Sequence, residues 1–257
     1  MSGEHFTSEY LEFRNSVVAG RRFVMDDVAT DFLEGIRKSV SQRVVKLPKG
    51  LFVYRAQLDC VQKDWNEDPV PLQCHGRKRM IPNRKLVSAG RANPDRKAVF
   101  YCAVYREIAI KEMRPWIGSY VSIATFKIKR ELKIVDFFTA YGGIYQSIAS
   151  AIRRKKMKGK EFDDHVWHKM GEAFCQPVSI SDDPIEYLPT QILAEQIQSL
   201  GYDGLAYRSS MEPEYKGLED AGANLALFDV GAVAMYGRGW VVKINNLELD
   251  IDDGPHY

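Results

Sequence analysis

Residues 98–116 read AVFYCAVYREIAIKEMRPW, and this stretch decides the fold class. Val99 to Tyr105 is rich in β-branched and aromatic residues and predicts a strand; Arg106 to Met113 predicts a short helix that Pro115 stops. Strands and helices do not alternate regularly along the rest of the chain, so the reading is an α+β domain rather than a doubly wound sheet. On the helix, Glu107, Lys111 and Arg114 share one side, with Glu107 and Lys111 at the i,i+4 spacing of a solvated acid–base pair. Glu112 falls inside the apolar arc of Ile108, Ala109, Ile110 and Met113. A carboxylate there needs a partner or a cleft, because burying an isolated charge is strongly unfavourable. An arginine that pins the helix and a catalytic role both meet that need.

Working outward, LFVYRAQL (51–58), SYVSIATFKI (119–128), ELKIVDFF (131–138), LAYRSS (205–210) and NLALFDV (224–230) read as further strands. Strand alternation puts Leu51, Val53 and Arg55 on one face and Phe52, Tyr54 and Ala56 on the other. Arg55 therefore needs an acceptor, either an internal carboxylate or a ligand phosphate or carboxylate matched to its planar fork. Asp59 to Asp95 is a long irregular connection with four prolines. Ile144 to Ile152, Asp163 to Phe174 and Thr190 to Leu200 have helical spacing, and Gly201 stands as the stop of the last.

The first segment, residues 1–47, reads as helices ending before Pro48-Lys49-Gly50. Tyr10, Phe13 and Val17 share a face, and Val28, Phe32, Ile36 and Val40 recur every four residues. The division expected is a helical N-terminal segment, 1–47, and a catalytic core, 48–257.

Composition bounds the function. With 257 residues, 45% hydrophobic and 27% charged, the chain reads as soluble and globular. A formal net charge of +2 gives no reason to expect a nucleic-acid or anionic-membrane partner. No apolar run has the length of a membrane span, and the start MSGEHFTSEY is acidic and polar, unlike a signal peptide. Cys60, Cys74, Cys102 and Cys175 form no C-x-x-C pair, which predicts reduced thiols in a cytoplasmic protein, without a disulfide frame or zinc site. His165 and His168 lack the H-E-x-x-H spacing of a metal helix, and there is neither a G-x-G-x-x-G nor a P-loop. The basic run 153–160, RRKKMKGK, reads as a solvated helix end, with a non-enzymatic binding module as the other reading. Ser209 and Ser210 sit at a strand end as turn formers would, outside any G-x-S-x-G elbow.

Several of these features, taken in order with their neighbours, resemble the RES-domain family, named for its arginine, glutamate and serine. They are Arg55 in YRAQ, Gly90-Arg91-Ala92-Asn93-Pro94, Tyr101 in VFYCA, Glu112 in AIKEMRPW and Ser209 in GYDGLAYRSS, with AFCQPV, YLPTQILAEQI and NLALFD alongside. The resemblance spans about Leu51 to Asp229. It implies an ADP-ribosyltransferase-like mixed β-sheet core with flanking helices, and NAD as substrate with no metal. It also implies the toxin of a bacterial toxin–antitoxin pair, neutralised by an Xre-type antitoxin. The implied reaction is phosphorolysis by inorganic phosphate or hydrolysis of the nicotinamide–ribose bond, or alternatively transfer of ADP-ribose to a macromolecule.

By the same resemblance Arg55, Arg91, Tyr101, Glu112 and Ser209 line the NAD pocket. The residue types suit the chemistry: positive charge builds on the ribose as the bond breaks, and a fixed carboxylate such as Glu112 stabilises it. Arg55 and Arg91 would hold pyrophosphate or phosphate, Tyr101 would stack on nicotinamide, and Ser209 would orient the nicotinamide riboside.

Overall fold

Leu132–Asp136 lies alongside Gly204–Arg208 in parallel, and every other neighbouring pair in the main sheet is antiparallel. This mixed sheet is the frame of a computed structural model that describes residues 9–20, 24–62, 72–83, 87–137, 161–176, 184–211 and 223–247. In chain order its strands are β1 (Val44–Leu47), β2 (Phe52–Leu58), β5 (Phe100–Ala103), β6 (Tyr120–Ile128), β7 (Leu132–Asp136), β8 (Gly204–Arg208), β9 (Ala223–Leu227) and β10 (Val233–Lys243). Across the sheet they run β1-β7-β8-β9-β5-β2-β6-β10. A two-stranded hairpin, β3 (Val61–Gln62) with β4 (Leu72–Gln73), stands apart from it.

The helices are α1 (Glu9–Ala19), α2 (Asp27–Ser39), α3 (Arg77–Met80), α4 (Arg106–Lys111), α5 (Glu161–Cys175) and α6 (Leu188–Ser199). The fold class is α+β, as the sequence predicts. One apolar cluster joins α1, α2, α5 and α6 to the sheet through Phe13, Trp167, Phe174, Leu193, Val135 and Leu205. Alternate residues of the same strands, Ile134, Ala206 and Leu225, enter a second cluster with Phe100, Phe126 and Met80 of α3. A third seats α4, whose Ile108 and Ala109 meet Ala56, Ala103, Val121 and Ile123. This two-sided burial follows from the period-2 alternation of strands whose neighbouring residues are both apolar.

Local signals explain most element ends. Asp26 caps α2 by accepting from the Ala29 amide at 2.9 Å, and the Ser16 hydroxyl donates to the same carboxylate oxygen, tying α1 to α2. These hydrogen bonds hold the Asp26 carboxyl below its ordinary range. Gly201, at φ 85°, ends α6 in a Schellman arrangement: its amide bonds the Gln198 carbonyl and that of Tyr202 the Ile197 carbonyl.

Three features differ from expectation. On α2 the expected repeat holds at Ile36 and Val40, which are buried, but in the first turns Ala29 and Leu33 are buried in place of Val28 and Phe32, and Val28 is 48% exposed. Phe32, half-buried, stacks face to face on Phe13 of α1, with 4.5 Å between ring centroids and 15° between the planes. β1, at the end of the N-terminal segment, is a sheet strand and not helix; its four residues VVKL alternate in burial but are too few to show a period in sequence. β10 has no strand period legible in its sequence, because Gly237 and Gly239 interrupt its pattern where the register against β6 also shifts. The expected helix 144–152 and the basic run 153–160 lie outside the described residues. No helix among the described residues is long and apolar enough to cross a membrane.

Candidate active site

Four adjacent strands, β8, β9, β5 and β2, carry polar groups toward a cleft of about 400 Å³, a size usual for small-molecule sites. The α4 helix closes its side. Glu112 is the residue after α4, and its amide still bonds the Ile108 carbonyl at 3.0 Å. Arg114, at φ 45°, turns the chain away immediately afterwards. The half-buried Glu112 carboxylate has no arginine partner among the described residues. Its Oε1 accepts from the Ser209 hydroxyl at 2.5 Å and from Asn224 Nδ2 at 2.6 Å. No donor among the described residues reaches Oε2. The carboxylate is thereby fixed through one oxygen, while the other remains available to a ligand. Glu107, by contrast, is exposed and bridges to Arg106.

Ser209 is fully buried, behind Glu112 and not at the cleft surface. Its hydroxyl spends its proton on Glu112 and accepts from the Met211 amide at 3.1 Å. The structure thus gives Ser209 the position of a support for the carboxylate; its neighbour Ser210 lines the cleft.

Arg55 occupies β2 beside the point where that strand registers with β5 only at Tyr54 opposite Ala103. Its Nη1 donates to the Tyr101 carbonyl at 2.6 Å, its cation lies 5.3 Å from the Phe100 ring centroid, and its buried Nε has no hydrogen-bond partner. No carboxylate among the described residues pairs with it. Burial lowers its pKa to about 10, a sign of an uncompensated cation. A buried guanidinium with an idle donor, facing a cleft, fits an anionic group such as phosphate.

Arg91 lies on the Gly90–Asn93 turn. Its Nη1 donates to the Phe174 carbonyl at 2.6 Å and the Ala173 carbonyl at 3.1 Å, capping the C-terminal end of α5. Tyr101 of β5 holds that turn from below: its hydroxyl accepts from the Ala92 amide at 2.9 Å and donates to Asn93 Oδ1 at 2.7 Å. Its burial pushes the phenol well above its ordinary pKa, so it stays a neutral donor. Gly90 is required by this closeness, since a Cβ there would stand 2.9 Å from the Tyr101 hydroxyl oxygen. Gln191 of α6 pins the turn from the other side, with Nε2 donating to the Gly90 carbonyl at 2.9 Å and the Asn93 carbonyl at 3.0 Å. Gln191→Leu removes a hydrogen bond from each of these carbonyls and leaves them only the turn's own backbone bonds, so it should lower the unfolding free energy by about 2 kcal/mol. Urea denaturation measures this, and an unchanged midpoint would mean the turn stands without the amide.

All five residues singled out in the sequence converge here: Arg55, Arg91, Tyr101 and Glu112 line the cleft, and Ser209 lies behind it. Asn224 and Gln191 were missed; Asn224 is a polar side chain in the otherwise apolar stretch ANLAL, which is the available signal, and Gln191, in TQILAEQI, has no comparable one. Burial raises the pKa of both cleft thiols, that of Cys102 to about 12, which disfavours their thiolates. Among the described residues no group of three His, Cys, Asp or Glu side chains could hold a metal ion. His168 pairs with Glu172 at 3.3 Å, and the His165 side chain lies outside the described residues.

No curated protein matches the chain. A solved structure titled the M. tuberculosis MbcT-MbcA toxin-antitoxin complex aligns over 82% of this chain and 92% of its own, at 14% identity and a TM-score of 0.39. The sequence model of the RES domain matches residues 74–244, a span that holds Arg91, Tyr101, Glu112 and Ser209, with Arg55 upstream. The chain therefore belongs to the RES-domain family, a family that acts on NAD.

Proposed function

We propose that this protein is an enzyme that cleaves the nicotinamide–ribose bond of NAD, by phosphorolysis or hydrolysis, as the toxin of a bacterial toxin–antitoxin pair. The observation that carries the reading is the Glu112 carboxylate, held by Ser209 and Asn224 through one oxygen and open at the other. Bond cleavage sends the electron pair to nicotinamide and leaves an oxocarbenium-like ribose. A preoriented carboxylate beside it lowers the barrier electrostatically without reorganising. Arg55, with its idle Nε, supports binding of the pyrophosphate or of an incoming phosphate, and Arg91 borders the same cleft. The Tyr101 ring is available for stacking because its hydroxyl is engaged elsewhere. Nicotinamide leaves as a neutral base, so the reaction needs no metal.

Residues 48–257 are the catalytic unit in this reading, since every cleft residue named falls within them; α1 and α2 pack against it and β1 adds an edge strand to its sheet. The antitoxin would be of the Xre type, and the protein cytoplasmic, where NAD is found. Purified protein incubated with NAD should release nicotinamide. With inorganic phosphate the second product should be ADP-ribose 1″-phosphate, and without it ADP-ribose, distinguished by mass spectrometry. Intact NAD after prolonged incubation in both buffers would remove the proposal.

A further inference from the structure

Cys60 and Cys74 sit far apart in sequence but opposite each other in space. In the β3–β4 hairpin, Val61 faces Gln73 and Gln62 faces Leu72. Continuing that antiparallel register by one residue places Cys60 against Cys74. The next pair outward is held as well: the buried Ser122 hydroxyl donates to the Asp59 carbonyl at 2.8 Å and accepts from the His75 amide at 3.1 Å. The two cysteines thus lie between the paired hairpin residues on one side and, on the other, Asp59 (φ 69°) and His75, which the Ser122 hydroxyl links. Directly opposed antiparallel residues have Cα atoms about 4.5–5.5 Å apart, with side chains on the same face. That spacing falls inside the window a disulfide requires. Both are free, partly exposed thiols, and Cys74 Sγ makes long contacts, 3.5 Å each, with the Ile123 and His75 carbonyls. Burial raises the Cys74 pKa, and Cys60 is among the neighbours contributing to the rise, as close thiols should.

We infer that Cys60 and Cys74 form a redox-responsive dithiol that closes to an intramolecular disulfide when a low-molecular-weight disulfide such as oxidised glutathione is present. The Cys60 thiolate attacks one glutathione sulfur, forming a mixed disulfide and releasing one glutathione thiolate. The Cys74 thiolate then attacks the Cys60 sulfur, forming the protein disulfide and releasing the second. Two protein thiols lose two electrons and two protons, and one oxidised glutathione becomes two reduced molecules. Closure moves Cys74 Sγ off the Ile123 carbonyl. The link would tie together the two ends of the excursion at the start of the connection leading to Arg91. This inference is independent of the NAD reading.

The test treats the full-length protein with oxidised glutathione, alkylates remaining thiols, and maps peptides without reduction. The expected result is loss of two of the four free thiols, one peptide pair joining Cys60 to Cys74, and reversal by dithiothreitol. Cys74→Ser should trap Cys60 as a stable glutathione adduct, and Cys60→Ser should abolish the cross-link. A stable glutathione adduct on Cys60 in the unsubstituted protein, a different pairing, or four thiols still alkylatable would each overturn the inference.

Discussion

Glu112→Gln should reduce kcat for nicotinamide release about 10²–10³-fold, the range seen when one preorganised electrostatic partner of a transition state is removed. The substitution is nearly isosteric. The amide oxygen can still accept from Ser209 and Asn224, which turns the NH2 group toward the cleft where Oε2 stands. A neutral donor then faces the developing cation in place of a negative charge. Because the carboxylate acts on charge that appears only as the bond breaks, KM should change far less than kcat. Circular dichroism and a melting curve close to the parent's establish that the fold persists. A folded Glu112→Gln protein with undiminished turnover would show that the carboxylate is structural and that the catalytic charge lies elsewhere.

Arg55→Met should move stability and function in opposite directions. Methionine keeps much of the aliphatic stem over Phe100 and removes a buried cation that no carboxylate offsets. Replacing buried charge with apolar volume often stabilises by about 1–4 kcal/mol. The Tyr101 carbonyl loses a donor in exchange, at about 1 kcal/mol, so a net gain of about 1–2 kcal/mol is expected in urea denaturation. Activity should fall in the same variant, with kcat/KM for NAD down by about 10–100-fold, the value of a hydrogen bond to a charged group. Inorganic pyrophosphate should raise the melting temperature of the parent and leave that of Arg55→Met unchanged. A destabilised variant with normal kcat/KM would make Arg55 a structural residue.

Much of the site was legible because its residues break local rules. Arg55 interrupts a strand face and Glu112 an apolar helical arc, and each violation marked a residue whose compensation is not local. The compensation itself could not be read. Nothing in the spacing says that Glu112 is met by a serine and an asparagine from β8 and β9, because that contact depends on the order β8-β9-β5 across the sheet. Ser209 shows the same limit. Its residue type and motif were visible, but its burial behind the carboxylate follows from how the loop after β8 folds back, with Met211 donating to it. On the fold side, strands with unbroken apolar runs were found, and β10, split by glycines, and β1, too short for a period, were not.

The Gly90–Asn93 turn is anchored at both faces, by the Tyr101 hydroxyl and the Gln191 amide. Arg91 is therefore located by the sheet and by α6 and not by the length of chain that leads to it. The stretch between β2 and this turn therefore does not set the distance to the guanidinium, and its own anchors, Met80 in the core and His75 on Ser122, serve the hairpin and α3 instead. Evolution could remodel that stretch for recognition of partners while the chemistry beneath stays in register.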